Sequence, residues 1–167
     1  MIRNEASYHD KHIDDLRAAI EHRATWFYFM LKAASDKGLK ADDFAREAIY
    51  NCGIFHADTK FPNTDDLKEF AQTFGTENVR KIFEWETSLV DNELRVVFHY
   101  CPLVAAWQKL TDDESLIAHM CDIAMDGDRG IVSTYKNFEF ELGDTIAQGC
   151  PTCHLTVRKR NKDETDR

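Results

Sequence analysis

The alternating segment 94–100 runs directly into the helix-like segment 103–107, and Cys101 and Pro102 lie at the junction. Successive side chains of a strand point to opposite faces, so His99 and Cys101 would share one face. Proline lacks a backbone N–H and fits the first turn of a helix. The sequence therefore predicts a strand-to-helix corner at Cys101, where a fixed side chain stays reachable.

Helices and two pairs of strands surround this corner in the predicted fold. Helical spacing covers residues 9–37, 42–56 and 65–74, and Gly53 would allow close packing of the second helix. Alternation over 83–86 and 94–100, around Asp91 and Asn92, predicts a hairpin. Two more helices follow over 102–110 and from 111 to a turn at 126–130, then strands at 138–142 and 153–159. We predict the α+β class: an antiparallel sheet of four or more strands with helices on one face and a helical N-terminal region.

Length and charge restrict the class of protein further. The 167 residues fit one domain, with a helical part over 1–75, an α+β part over 76–160 and a charged tail over 161–167. The net charge of −9 argues against a nucleic-acid groove. No secretory signal or membrane-spanning run is visible, and five cysteines are an odd number for a disulfide framework. We expect a cytoplasmic protein with a small-molecule partner and no membrane partner, and homo-oligomerisation stays open.

Thiols offer the first candidate chemistry. Cys101, Cys121 and Cys153 lie at separate elements that could converge. Together with His99, His119, Asp122 or His154 they could form a site suited to zinc or iron. The alternative is that they are small buried hydrophobic residues. The Cys150-x-x-Cys153 pair precedes a strand rather than a helix, so it lacks the setting of a redox motif. Cys52 and His56 have ligand spacing, but a buried thiol and a surface imidazole explain them more simply.

Charged groups offer the second candidate chemistry. Asp126 and Asp128 flank a glycine, and Arg129 follows them. One carboxylate could serve as an acid or base, while Arg129 could hold a substrate carboxylate. The alternative is a solvated turn at the end of a helix. Arg95 and Tyr100, on the strand before the corner, are the other predicted substrate contacts.

Three motifs together resemble one known family. They are the segment 99–103 with its Cys-Pro pair, the segment 116–128, and the segment 146–154 with its Gly-x-Pro-x-Cys pattern. In this order and spacing they are similar to the L-2-amino-thiazoline-4-carboxylic acid hydrolase family, over roughly residues 45–157. The first helix is not part of this resemblance. A more distant likeness is to 4-vinyl reductase type domains, which bind small molecules.

The resemblance implies a hydrolase that opens a cyclic amidine-like C–N or C–S bond of a small substrate. Such a reaction needs a nucleophile at the amidine carbon and an acid for the leaving atom. One hypothesis makes Cys101 the nucleophile, His99 its base and Asp126 or Asp128 the acid. A second has Cys101, Cys121 and Cys153 hold a metal ion whose bound water attacks. The alternative to both is a sensory domain that binds a small molecule or metal without turnover.

Overall fold

The computed structural model of the chain describes residues 1–160, and the predicted tail at 161–167 lies outside the described residues. In chain order the elements are α1 (Lys11–Asp36), α2 (Ala41–Lys60), α3 (Leu67–Phe74), α4 (Glu77–Phe83), β1 (Trp85–Val90), β2 (Glu93–Phe98), α5 (Pro102–Gln108), α6 (Glu114–Ala124), α7 (Asp126–Ser133), β3 (Phe138–Leu142), a 3-10 turn (Ile146–Gln148) and β4 (Cys153–Lys159).

The four strands form one antiparallel sheet in the order β1-β2-β4-β3. One face of this sheet is buried, because Leu94 and Val96 of β2 alternate inward beside Leu155 and Val157 of β4. This face packs into a core with side chains of α3 and α7. The α+β prediction, with helices on one face of an antiparallel sheet, is confirmed.

A second core lies between α1, α5 and α6. Trp107 of α5 is fully buried there and donates its indole N–H to the Ala24 carbonyl oxygen of α1 at 3.0 Å. Met120 and Ile117 of α6 complete the same cluster. Among the helices of residues 1–160, none combines the length and apolar character needed to cross a bilayer.

The strand-to-helix corner differs from the prediction in one respect. Strand β2 ends at Phe98, and the amides of His99 and Tyr100 instead bond to the carbonyls of Glu84 and Phe83. The alternation therefore stops, and Tyr100 and Cys101 are both buried. Pro102 is the first residue of α5, as the sequence predicted.

Two helices replace elements that the sequence predicted otherwise. Residues 126–130, predicted as a terminal turn, begin α7. The predicted strand 83–86 instead starts at Trp85, because α4 runs to Phe83 and is capped by Thr76, whose hydroxyl accepts from the Val79 amide. Packing of α7 against α2 explains the first difference, since tertiary contacts override the weak helix propensity of glycine and aspartate.

Candidate functional site

A cavity of about 410 Å³ lies where α1, α2, α5 and α7 meet. Apolar side chains form most of its wall, among them Trp26, Phe27, Met30, Ile49, Leu103 and Ile131. Three charged or titratable side chains also line it, namely Arg23, His56 and Asp128, together with the thiol of Cys52. A largely apolar wall with a few polar groups is typical of a small-molecule site.

Glycine contacts between α2 and α7 bring the two sides of this cavity together. A β-carbon on Gly53 would overlap the Gly127 carbonyl oxygen, and one on Gly130 would overlap the Tyr50 carbonyl oxygen. The helices therefore touch backbone to backbone, as the prediction of close packing at Gly53 requires. Asp128 lies between the two α7 glycines in sequence, so this packing places it at the cavity.

Asp128 carries the most perturbed carboxyl group of the site. Burial raises its pKa to about 6, while the positive charges of Arg23 and Arg129 oppose the rise. No hydrogen bond from within residues 1–160 contributes to this shift. Near neutral pH the side chain therefore populates both its acid and its carboxylate form, as an acid–base catalyst must.

Arg23 and His56 give the cavity a cationic group and a neutral base. Arg23 is exposed and takes part in none of the arginine ion pairs found within residues 1–160. Burial, with the charges of Lys60 and Arg23, lowers the pKa of His56, so its imidazole is neutral at neutral pH. Because Arg23 is in none of the ion pairs within the described residues, its guanidinium can bind an anionic group of a ligand.

A four-membered ion cluster, which we call the α2–α7 clamp, lies beside the cavity. It consists of Arg46, Asp122, Asp126 and Arg129. Arg46 bonds to Asp122 at 2.6 Å and to Asp126 at 3.0 Å, and Arg129 bonds to the same carboxylates at 2.7 and 2.6 Å. Burial opposes ionisation of Asp122, but hydrogen bonds from both arginines lower its pKa overall. The clamp joins α2, α6 and α7, and its two arginines and two carboxylates satisfy one another's charges and hydrogen bonds.

Cys101, Cys121 and Cys153 meet in the core between α1, α5 and α6. Burial raises the pKa of all three thiols, that of Cys153 to about 12, and the Cys153 sulfur accepts the Ile146 amide at 3.1 Å. Within residues 1–160 no group of three or more His, Cys, Asp or Glu side chains is arranged to hold a metal ion. These thiols therefore do not fit a metal, and we derive no step through one.

His99 and Cys101 do not face a common cavity. The exposed imidazole of His99 lies 3.3 Å from the Glu86 carboxylate and lines a separate cavity of about 660 Å³ with residues of β1 and the N-terminal segment. Cys101 lines neither this cavity nor the one at Asp128. Its backbone N–H and C=O are instead held by the Asn4 side chain, at 2.9 Å each.

Comparison with known proteins identifies the family of this chain. A model of the L-2-amino-thiazoline-4-carboxylic acid hydrolase family matches residues 17–157. The chain belongs to this family. The match begins inside α1, so the family pattern extends over the helix that carries Arg23. No curated protein sequence matches this family member significantly.

The fold of the family member is similar to that of a trafficking protein particle complex subunit 3 from Naegleria fowleri, solved covalently bound to palmitic acid. The two share 14% identity with a TM-score of 0.56, over 84% of this chain and 95% of that one. At this identity the likeness establishes the shared fold alone.

The other predicted site residues of the family member, besides His99 and the three buried cysteines, fall in four places. Asp128 lines the cavity of about 410 Å³, while Asp126 and Arg129 belong to the clamp. Arg95 is exposed on β2 and pairs with Glu93 at 2.6 Å. Tyr100 is buried, with the Arg17 guanidinium 4.6 Å from its ring centre.

Three polar residues that line the cavity of the family member were not among the predicted site residues. Arg23 gave no signal, because it belongs to a long helix outside the recognised motifs. Cys52 and His56 did give one, since their spacing of one helical turn was noted. The prediction of a buried Cys52 was wrong, because the side chain is exposed. No sequence pattern could have shown that Cys52 and His56 line the same cavity as Asp128.

Proposed function

We propose that this protein is a hydrolase that opens a cyclic amidine carboxylate, such as an aminothiazoline carboxylate, in the cavity between α1, α2, α5 and α7. Membership of the family supports the reaction class. The observation that carries the assignment to this cavity is the half-buried Asp128 carboxyl, with its pKa of about 6, among apolar side chains. Neither comparison favours the sensory-domain alternative.

Two charges of the cavity match the two charges of such a substrate. The Asp128 carboxylate attracts the amidinium group, and the Arg23 guanidinium attracts the ring carboxylate. In a largely apolar cavity these attractions exceed their value in water. The pair therefore fixes which end of the substrate ring faces α7.

The hydrolysis needs one proton acceptor and one proton donor, and Asp128 serves as both in turn. As a carboxylate it removes a proton from water while the water oxygen bonds to the amidine carbon. The tetrahedral carbon then carries a hydroxyl group, and the ring C–S bond breaks as this hydroxyl becomes the carbonyl of the product and releases its proton to solvent. The Asp128 acid returns the proton that it took from water to the leaving sulfur. One water is consumed and the product is a carbamoyl-cysteine with a free thiol. A pKa near the working pH suits both steps.

Water is the nucleophile in this proposal, whereas the sequence predicted Cys101 with His99 as its base. Burial raises the pKa of Cys101, which lowers its thiolate fraction, and its side chain does not line the cavity. The variant Cys101→Ser decides between them. Retained turnover supports attack by water, and lost turnover in a folded variant supports the cysteine nucleophile.

The test of the proposed function is turnover of 2-aminothiazoline-4-carboxylate, followed by mass spectrometry. The variant Asp128→Asn should lose at least a hundredfold in kcat/KM, because general acid–base catalysis is worth about 10²–10⁴-fold. The exposed Asp58 of α2 lies outside the cavity lining, so Asp58→Asn is the matched control and should retain wild-type activity. Equal rates in both variants would rule out the role of Asp128.

A further inference from the structure

The cavity has more apolar wall than a bare thiazoline ring can cover. Phe27, Ile49, Leu103 and Ile131 form its inner wall, while Trp26 and Met30 on α1 are 64% and 62% exposed and lie at its opening. The polar groups Arg23 and Asp128 suffice for the two charges of the ring. The apolar side chains that remain have no counterpart on such a substrate.

The volume of the cavity leads to the same conclusion. Cavities of about 300–1,000 Å³ typically enclose drug-sized ligands, and this one measures about 410 Å³. A thiazoline carboxylate of ~9 non-hydrogen atoms is much smaller than such a ligand. It would leave apolar wall in contact with water, although burying that wall would contribute binding free energy.

We propose that the preferred substrate of this site carries an apolar alkyl or aryl substituent on the cyclic amidine carboxylate. The inference rests on the proposed function for the reaction, and it adds the substrate class. Arg23 and Asp128 hold the charged ring, and the substituent extends along α1 over Trp26 and Met30. Two exposed side chains of α1 thereby become determinants of specificity.

The arrangement on α1 offers a matched pair of variants. Trp26 lines the cavity, whereas Phe29, one turn along the same helix and 53% exposed, does not. Both changes to serine remove an exposed aromatic ring from α1. Only Trp26→Ser removes a ring from the proposed path of the substituent.

The experiment compares kcat/KM for 2-aminothiazoline-4-carboxylate with that for its 5-butyl homologue. Each buried methylene is worth about a fourfold gain, so the butyl compound should be better by at least tenfold. Trp26→Ser should reduce this ratio several-fold, and Phe29→Ser should leave the ratio unchanged. A ratio near one in the wild type, or equal ratios in the two variants, would overturn the inference.

Calorimetric binding of the same two compounds separates this inference from the proposed function. If neither compound is turned over but the butyl homologue binds at least tenfold tighter in a Trp26-dependent way, the function fails and the preference for an apolar substituent stands. If the bare ring is hydrolysed as fast as the homologue, the function stands and the inference fails. Absence of both binding and turnover contradicts both.

Discussion

Gly53 of α2 lies in backbone contact with Gly127 of α7, and a β-carbon on Gly53 would overlap the Gly127 carbonyl oxygen. Gly130, less than one turn further along α7, makes the equivalent contact with the Tyr50 carbonyl. Side chains of ordinary size would force the helices apart at these points. The position of Asp128 at the cavity therefore depends on glycines that never touch a ligand.

The variant Gly130→Ala should lower the free energy of unfolding by about 1–3 kcal/mol, because the new methyl group overpacks a backbone contact. Gly127→Ala in the same helix is the control, since its β-carbon would lie 3.6 Å from the Ile49 Cγ2, an ordinary contact. Urea unfolding followed by circular dichroism measures both. Equal effects of the two changes would show that the α2–α7 contact is not tight.

The α2–α7 clamp should contribute more to stability than an ion pair on the surface. Arg46→Ala leaves the buried Asp126 without one of its two arginines, so we expect a loss of about 2–4 kcal/mol. Arg95→Ala breaks the exposed pair with Glu93 and should cost less than about 1 kcal/mol. Denaturant unfolding at low and high salt tests this, and similar losses in both variants would contradict it.

Protonation of Asp128 should make the free energy of unfolding fall as the pH rises, which is opposite to the usual effect of an aspartate. Its folded pKa of about 6 exceeds the ordinary value, so the stability that the protonated form contributes is full below pH 3.8 and is lost as the pH rises through 6. Asp128→Asn removes this loss. Relative to the wild type, the variant should gain about 1–3 kcal/mol of unfolding free energy between pH 4 and pH 7.5.

Unfolding of wild type and Asp128→Asn at the two pH values measures that gain, with Asp58→Asn as the reference for an exposed carboxyl. A difference between wild type and Asp128→Asn that stays constant with pH would mean that the Asp128 carboxyl titrates normally. A difference that grows toward low pH would reverse the predicted sign.

Cys52 should be the first thiol to react with iodoacetamide. It is exposed at the cavity, Cys150 is half-buried, and Cys101, Cys121 and Cys153 are buried thiols whose raised pKa values suppress the reactive thiolate. Peptide mapping by mass spectrometry gives the order of modification. Because the adduct occupies the cavity, labelled protein should lose turnover while labelled Cys52→Ala should not. Faster labelling of Cys101 would show that the core is open.

The sequence predicted the sheet well because its signals are local. Alternation at Leu94 and Val96, and at Leu155 and Val157, identifies the buried faces of β2 and β4, and Asp91 and Asn92 both adopt the positive φ of the predicted turn. None of these inferences depends on residues distant in the chain.

The site was predictable only in part, because it depends on packing between distant helices. Asp128 was a candidate on composition, but the glycines of α7 also suggested a solvated turn. The segment is instead a helix whose glycines contact the backbone of α2. Cys101 was assigned to the His99 face by extending the strand alternation past Phe98, where β2 ends. Asp128 and Arg23 line the same cavity although they lie about a hundred positions apart in the sequence, and no local pattern encodes this proximity.

The pH dependence of kcat/KM for ring opening, compared between wild type and Asp128→Asn, tests the central claim most directly. The free enzyme should show a transition with an apparent pKa of about 6 that is absent from the residual activity of the variant. Full activity of Asp128→Asn with an unchanged pH profile would contradict the assignment of acid–base catalysis to this cavity.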